Sequence, residues 1–95
     1  MIERHVTFDV LPDKTREFER LFSDEYRHAM ARMPGFIRVE LLSEQENPAR
    51  YQMVIRFISP EQAAAWRSSN AHQALSPKLK ALYSACQLQL YEVLV

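Results

Sequence analysis

Between Ile2 and Val10 the chain alternates: Ile2, Val6, Phe8 and Val10 share one side with Arg4, and Glu3, His5, Thr7 and Asp9 take the other. A period of two with one apolar side predicts a half-buried strand. Pro12 opens a turn, and from Asp13 to Met33 the spacing changes. Phe18, Leu21, Phe22, Tyr26, Ala29, Met30 and Met33 recur in steps of three and four, the stripe of an amphipathic helix. Asp13 is its expected cap and Pro34-Gly35 its end. Phe36 to Leu42 predicts a second strand and Tyr51 to Ile58 a third, with Tyr51, Met53, Ile55 and Phe57 on one face. The polar connection holding Asn47-Pro48 makes these two an antiparallel hairpin.

Ser59-Pro60-Glu61-Gln62 is a helix start: serine caps, proline suits the first turn, and glutamine can reach back as in a capping box. This helix carries Ala63, Ala64 and Trp66 and is expected to fray near Ser69. Asn70 begins a further short turn, Ser76-Pro77 starts a third segment with Leu79 and Leu82 inward, and Gln87 to Val95 is the last strand. The order β-α-β-β-α-β is the α+β ferredoxin-like arrangement, in one domain over residues 1–95. Helices then cover one face of the sheet. Val54 and Ile58 on the third strand, with Tyr91, Val93 and Val95 on the last, give the other face apolar residues too. Something must cover it, and a second copy of the chain is the simplest cover, so a homodimer with facing sheets is expected.

Composition narrows the possible partners. Ninety-five residues carry 12 Lys plus Arg and 12 Asp plus Glu. Zero net charge argues against nucleic acid and against a polybasic membrane anchor. The apolar runs are too short for a membrane span, and the N-terminus lacks the apolar region of a signal peptide. The single cysteine, Cys86, allows no intrachain disulfide and suits a reducing, cytoplasmic setting. With one glycine there is no phosphate-binding fingerprint, and the three histidines are scattered, so no nucleotide cofactor or metal is expected.

Several segments, taken in order, carry a family resemblance. They are Val10-Leu11-Pro12-Asp13-Lys14 with Glu17-Phe18, Met33-Pro34-Gly35-Phe36, and Asn47-Pro48-Ala49-Arg50-Tyr51. The fourth is Phe57-Ile58-Ser59-Pro60-Glu61-Gln62-Ala63, running into Trp66-Arg67-Ser68-Ser69-Asn70-Ala71-His72. Together they resemble the antibiotic-biosynthesis-monooxygenase family of the dimeric α/β-barrel superfamily. The resemblance implies a pocket within each subunit, between sheet and helices. It also implies a small-molecule ligand and, in its most concrete form, cofactor-independent oxidation of an electron-rich aromatic by O₂. Two alternatives come with it: an isomerase or lyase using the same base, or a non-catalytic ligand-binding or stress-response dimer with a filled core. The haem-degrading branch needs an asparagine on the first strand and a histidine beyond the tryptophan. Val6 and Leu75 fall there instead, and leucine cannot ligate iron, so haem is not expected.

Trp66, the sole tryptophan, is the candidate wall on which a planar substrate stacks; the plainer reading is a core anchor. Gln62, four residues earlier, can share its helix face. His72 is the candidate base, because its reference pKa lies near neutrality, or else a cap or a strand contact. Asn70 is a polar contact for substrate or an N-cap. Tyr51 and Arg38, on neighbouring strands, would hold a phenolate beside Trp66 if both face the helices. Arg4 shares the apolar face but sits near a strand end, where arginines usually snorkel outward. His5 points the other way, toward Glu3 or Gln89 at the expected dimer face, and His28 is expected exposed.

Overall fold

The computed structural model describes all residues, 1–95. Four strands, β1 (Ile2–Val10), β2 (Phe36–Ser43), β3 (Arg50–Phe57) and β4 (Tyr83–Glu92), form one antiparallel sheet in the order β2-β3-β1-β4. Helices pack on one face, which gives the ferredoxin-like α+β architecture. Pairing sets the faces. Val6 lies between Met53 and Leu88, Phe8 between Tyr51 and Cys86, and Arg4 between Ile55 and Leu90, all toward the helices. Directly opposed residues share a face, so one register decides the whole core.

The first helical stretch has four parts: a 3₁₀ turn at Pro12–Lys14, α1 (Thr15–Leu21), a π turn at Phe22–Tyr26, and α2 (Arg27–Ala31). Phe18, Phe22, Tyr26 and Met30 are all buried and four residues apart. In a pure α-helix each such step overshoots one turn by about 0.4 residue. The wider π turn absorbs the accumulated drift and keeps all four on the sheet. Asp13 is not a cap. It lies inside the 3₁₀ turn, and neither that turn nor α1 has a side-chain cap. Pro12, with φ already near helical, starts the stretch instead.

At α3 (Pro60–Ser68) Ser59 is the cap: its Oγ accepts the Gln62 N–H at 3.3 Å and donates to Gln62 Oε1 at 3.3 Å. The glutamine reaches back to the serine hydroxyl, not to its backbone. Gly35, at φ +82°, lies beneath it, and a Cβ there would stand 2.0 Å from Gln62 Oε1. The Gly35 carbonyl also accepts the Ile58 N–H at 2.8 Å. The turn into β2, the end of β3 and the start of α3 therefore close on one another, and only glycine fits.

α4 (Asn70–Lys80) departs from expectation twice. Its cap is Ser69, whose Oγ accepts the His72 N–H at 3.1 Å, so Asn70 is the first helical residue and is exposed. The helix also runs through Pro77 without a new start at Ser76. Proline removes one backbone donor, and the buried pair Leu75 and Leu79 holds both halves against the core. β4 begins at Tyr83, not Gln87, and ends at Glu92, leaving Val93 to Val95 outside. Its first residues pair with the end of β1 across a bulge between Asp9 and Val10.

The face away from the helices is more polar than the sequence pattern suggests. Glu3 accepts from Arg56 Nη2 and from His5 Nε2, each at 2.7 Å, and Arg38 Nη1 donates to Glu40 at 2.9 Å. Of the apolar residues expected there, Val54 and Tyr91 lie on strands, while Ile58, Val93 and Val95 fall beyond strand ends. Arg56 and His5 hold the Glu3 carboxyl down at about 2, with the His5 hydrogen bond the largest influence and burial working against it.

Candidate functional site

A cavity of about 120 Å³ lies between the sheet and the helices. Its sheet side is Arg4, Val6, Phe8, Met53 and Ile55 with Tyr83 and Cys86 of β4; its helix side is Tyr26, Trp66, Arg67, His72, Ser76 and Leu79. Three rings form one wall. The Trp66 centroid is 5.4 Å from Tyr26 and 5.2 Å from His72, and Tyr26 is 6.2 Å from His72, all edge to face. Such geometry sets the positive edge of one ring against the negative face of another. Trp66 is 2% exposed, so it anchors the core and lines the cavity at once.

The break at Ser69 builds this wall. Six residues along a continuous helix would set Trp66 and His72 well apart around the axis. Ser69 leaves the helix with extended backbone, ψ 153°, and its hydroxyl donates to the Trp66 carbonyl at 2.6 Å. The same oxygen caps α4, so one residue ends a helix, starts another and turns the His72 ring back onto Trp66.

No carboxylate lines the cavity, and its basic groups are Arg4, Arg67 and His72. Burial, then Arg67, Arg4 and Lys80, push the imidazole below its ordinary range. These influences favour the neutral imidazole over the charged one, and only the His72 backbone N–H is engaged, at Ser69. Burial pushes the Tyr26 hydroxyl up, against the opposing pull of the Trp66 indole and Arg4. Tyr83 is pushed up to about 12, first by burial and then by the neighbouring Cys86 thiol. Both phenols stay protonated and are donors, leaving His72 as the group suited to accept a proton.

Of the sequence candidates, the fold brings Trp66 and His72 together. Tyr51 faces the helices but not this cavity. Its ring packs 5.1 Å from Phe18, its hydroxyl donates to Glu19, and burial and that carboxylate push it up to about 12. Arg38 lies on the opposite face, bonded to Glu40 and near Glu3. Gln62 is engaged at Ser59 and over Gly35, and Asn70 is exposed. Val6 lines the cavity and Leu75 is buried. Phe8, Phe18, Phe22 and Phe57 are all buried, yet the space beside Trp66 stays open. Nothing in the sequence pattern marks Tyr26, Tyr83, Cys86 or Arg67 as cavity residues. Tyr26 carried only a core signal, and the other three gave no spacing that pointed inward. No three His, Cys, Asp or Glu side chains converge as a metal would require, and no helix is long and apolar enough to cross a membrane.

Known structures share this architecture end to end. A protein from Nitrosomonas europaea, described as an antibiotic biosynthesis monooxygenase by assignment, is 20% identical with TM-score 0.90, and each chain is covered in full. SnoaB, a cofactor-independent oxygenase from Streptomyces nogalater, is 21% identical with TM-score 0.89, covering 99% of this chain and 93% of its own. A conserved protein from Methanosarcina mazei is 20% identical with TM-score 0.87, over 95% of this chain and 89% of its own. No curated protein sequence matches the chain. At these identities the structures establish the fold. The family model for antibiotic biosynthesis monooxygenases matches residues 1–78, most of the sequence, and the chain belongs to that family.

Proposed function

We propose that the protein is a cofactor-independent monooxygenase acting on a small phenolic aromatic in the cavity beside Trp66. Family membership supports a monooxygenase-like function, and SnoaB, similar in fold, is described as a cofactor-independent oxygenase. The observation that carries the reading is His72: a base kept neutral by burial and cationic neighbours, edge-on to a tryptophan, in a cavity without a carboxylate. In this reading His72 takes the phenolic proton. The Tyr26 and Tyr83 hydroxyls stabilise the phenolate. The electron-rich ring reduces O₂ by one electron, the radical pair forms the carbon–oxygen bond, and the peroxide loses water. Phenol plus O₂ thus gives quinone plus water: one oxygen atom stays as the new carbonyl and the other leaves. Apolar walls keep competing water from the anion.

At about 120 Å³ the cavity accommodates one aromatic ring. A planar phenol should quench Trp66 fluorescence saturably. His72→Ala should leave that binding nearly intact and lower oxygen uptake on the order of 10²–10⁴-fold. Absence of saturable quenching by any phenol overturns the site. Turnover without oxygen uptake replaces the oxygenase with an isomerase or lyase, and quenching with no turnover leaves a ligand-binding protein.

We infer further that the working form is a cytoplasmic homodimer. An uncovered sheet face and the exposed Leu88, Leu90 and Leu94 toward the C-terminus support the dimer, and a single free cysteine with no disulfide to form supports a reducing compartment. Sedimentation at micromolar concentration should give twice the chain mass.

A further inference from the structure

We propose that Arg4 and Arg67 form an anion gate at the mouth of the cavity, and that the substrate is an aromatic acid whose carboxylate sits between them. This deepens the reading of the Trp66 cavity and rests on it. The two arginines line both the inner cavity and a wider groove of about 460 Å³ that opens beyond it along Pro60, Ala63 and Ala64. They are the only residues common to the two linings. Arg67 is exposed on α3, while Arg4 is half-buried on β1 among apolar neighbours. Neither is among the arginines paired with a carboxylate within 4 Å: those are Arg38, Arg50 and Arg56. Glu3 and Glu92 border the outer groove, but Glu3 is already engaged by Arg56 and His5.

Two guanidiniums that repel each other, with no carboxylate within 4 Å of either, are an unfavourable arrangement. Arg4 also bears the cost of burial, and Arg67 adds repulsion. An arginine does not escape that cost by deprotonating, because its proton affinity is too high. A bound carboxylate removes the repulsion and gives both forks an acceptor they can meet bidentately. It also fixes the ring: with the anion at the gate, the rest of the molecule extends past Trp66 toward His72. The phenolic hydroxyl then belongs on the far side of the ring from the carboxylate.

The test compares 4-hydroxybenzoate with 4-hydroxybenzamide, which has nearly the same shape without the charge, using Trp66 quenching at neutral pH. The acid should bind about tenfold more tightly or better, as hydrogen bonds to charged groups imply. The preference should fall with added salt and vanish in Arg4→Met, remain largely in Arg4→Lys, and weaken in Arg67→Met. Circular dichroism shows that each variant is folded, and the comparison in the unmutated protein needs no variant. Equal binding of acid and amide overturns the gate while leaving the ring site standing. Binding of neither overturns the cavity reading itself, and the gate with it. A preference for the acid that survives both Arg4→Met and Arg67→Met also overturns the gate.

Discussion

The helix-facing side of the sheet has two aromatic ends with different chemistry. At one end Tyr51 stacks near Phe18 and gives its hydroxyl to Glu19, so ring and polar atom are both satisfied. At the other, Trp66, Tyr26 and His72 pack edge to face around open space, and the imidazole has no side-chain partner. A satisfied polar group in a filled site stabilises the fold and has no capacity left for a ligand. One with no protein partner, beside a cavity, retains that capacity. Packing quality alone does not separate the two ends, since Tyr51 and Trp66 are equally buried. What separates them is where the polar atoms find partners.

The largest test of this contrast is Trp66→Ala. Removing a fully buried indole that also braces Tyr26 and His72 should destabilise the protein by about 3–5 kcal/mol, measured by urea denaturation. Trp66→Phe should cost far less, because the ring still fills most of the space. Small losses in both would mean that the wall is not structural and that only the opposite end holds the core.

Next in size is the charge cluster on the open face. Glu3 is 14% exposed and holds His5 and Arg56 together. Its pKa is depressed, so its contribution is full above the ordinary carboxylate value, 4.5, and is lost as pH falls toward about 2. Glu3→Gln should cost about 1–2 kcal/mol at neutral pH, since charge-assisted bonds are lost but partly replaced by water. It should also flatten the acid limb of stability against pH. His72 acts in a different window. Its protonation is disfavoured in the folded state, so stability falls as pH drops below 6.5 toward its lowered folded value. His72→Gln should remove that second slope and leave the first.

The sequence made the strands, the first helix and the Ser59 start legible, because period and capping residues are local. It also made Trp66 and His72 legible as a pair, though it took Asn70 for the cap that Ser69 provides. What it could not show depends on register. The bulge at Phe36/Arg38 leaves Phe36 opposite Phe57 on the helix side and Arg38 opposite Arg56 on the other. One extra residue flips every later side chain, so Val39 and Leu41 reach the core while Arg38 joins Glu3. The start of β4 was hidden for a similar reason: Ser84, Ala85 and Cys86 do not alternate in polarity, so Tyr83 and Cys86 gave no sign of lining a cavity. Alternation along the first strand puts Arg4 on the helix-facing side, but a strand-end arginine gives no local sign of being retained inside.

The smallest expected effect belongs to Tyr51→Phe. The substitution keeps the ring against Phe18 and removes only the hydroxyl that donates to Glu19. Glu19 is exposed on α1, so water can replace the lost donor, and the cost should be about 0.5–1.5 kcal/mol. Quenching of Trp66 by phenols should be unchanged, because Tyr51 is not part of the cavity wall. Tyr26→Phe provides the paired measurement: the same atom is removed, but from the cavity wall, so ligand affinity should fall while stability changes little more than in Tyr51→Phe. If Tyr51→Phe weakens phenol binding as much as Tyr26→Phe does, the two ends are coupled through Phe8 and Phe18, and the division between a filled end and a working end fails.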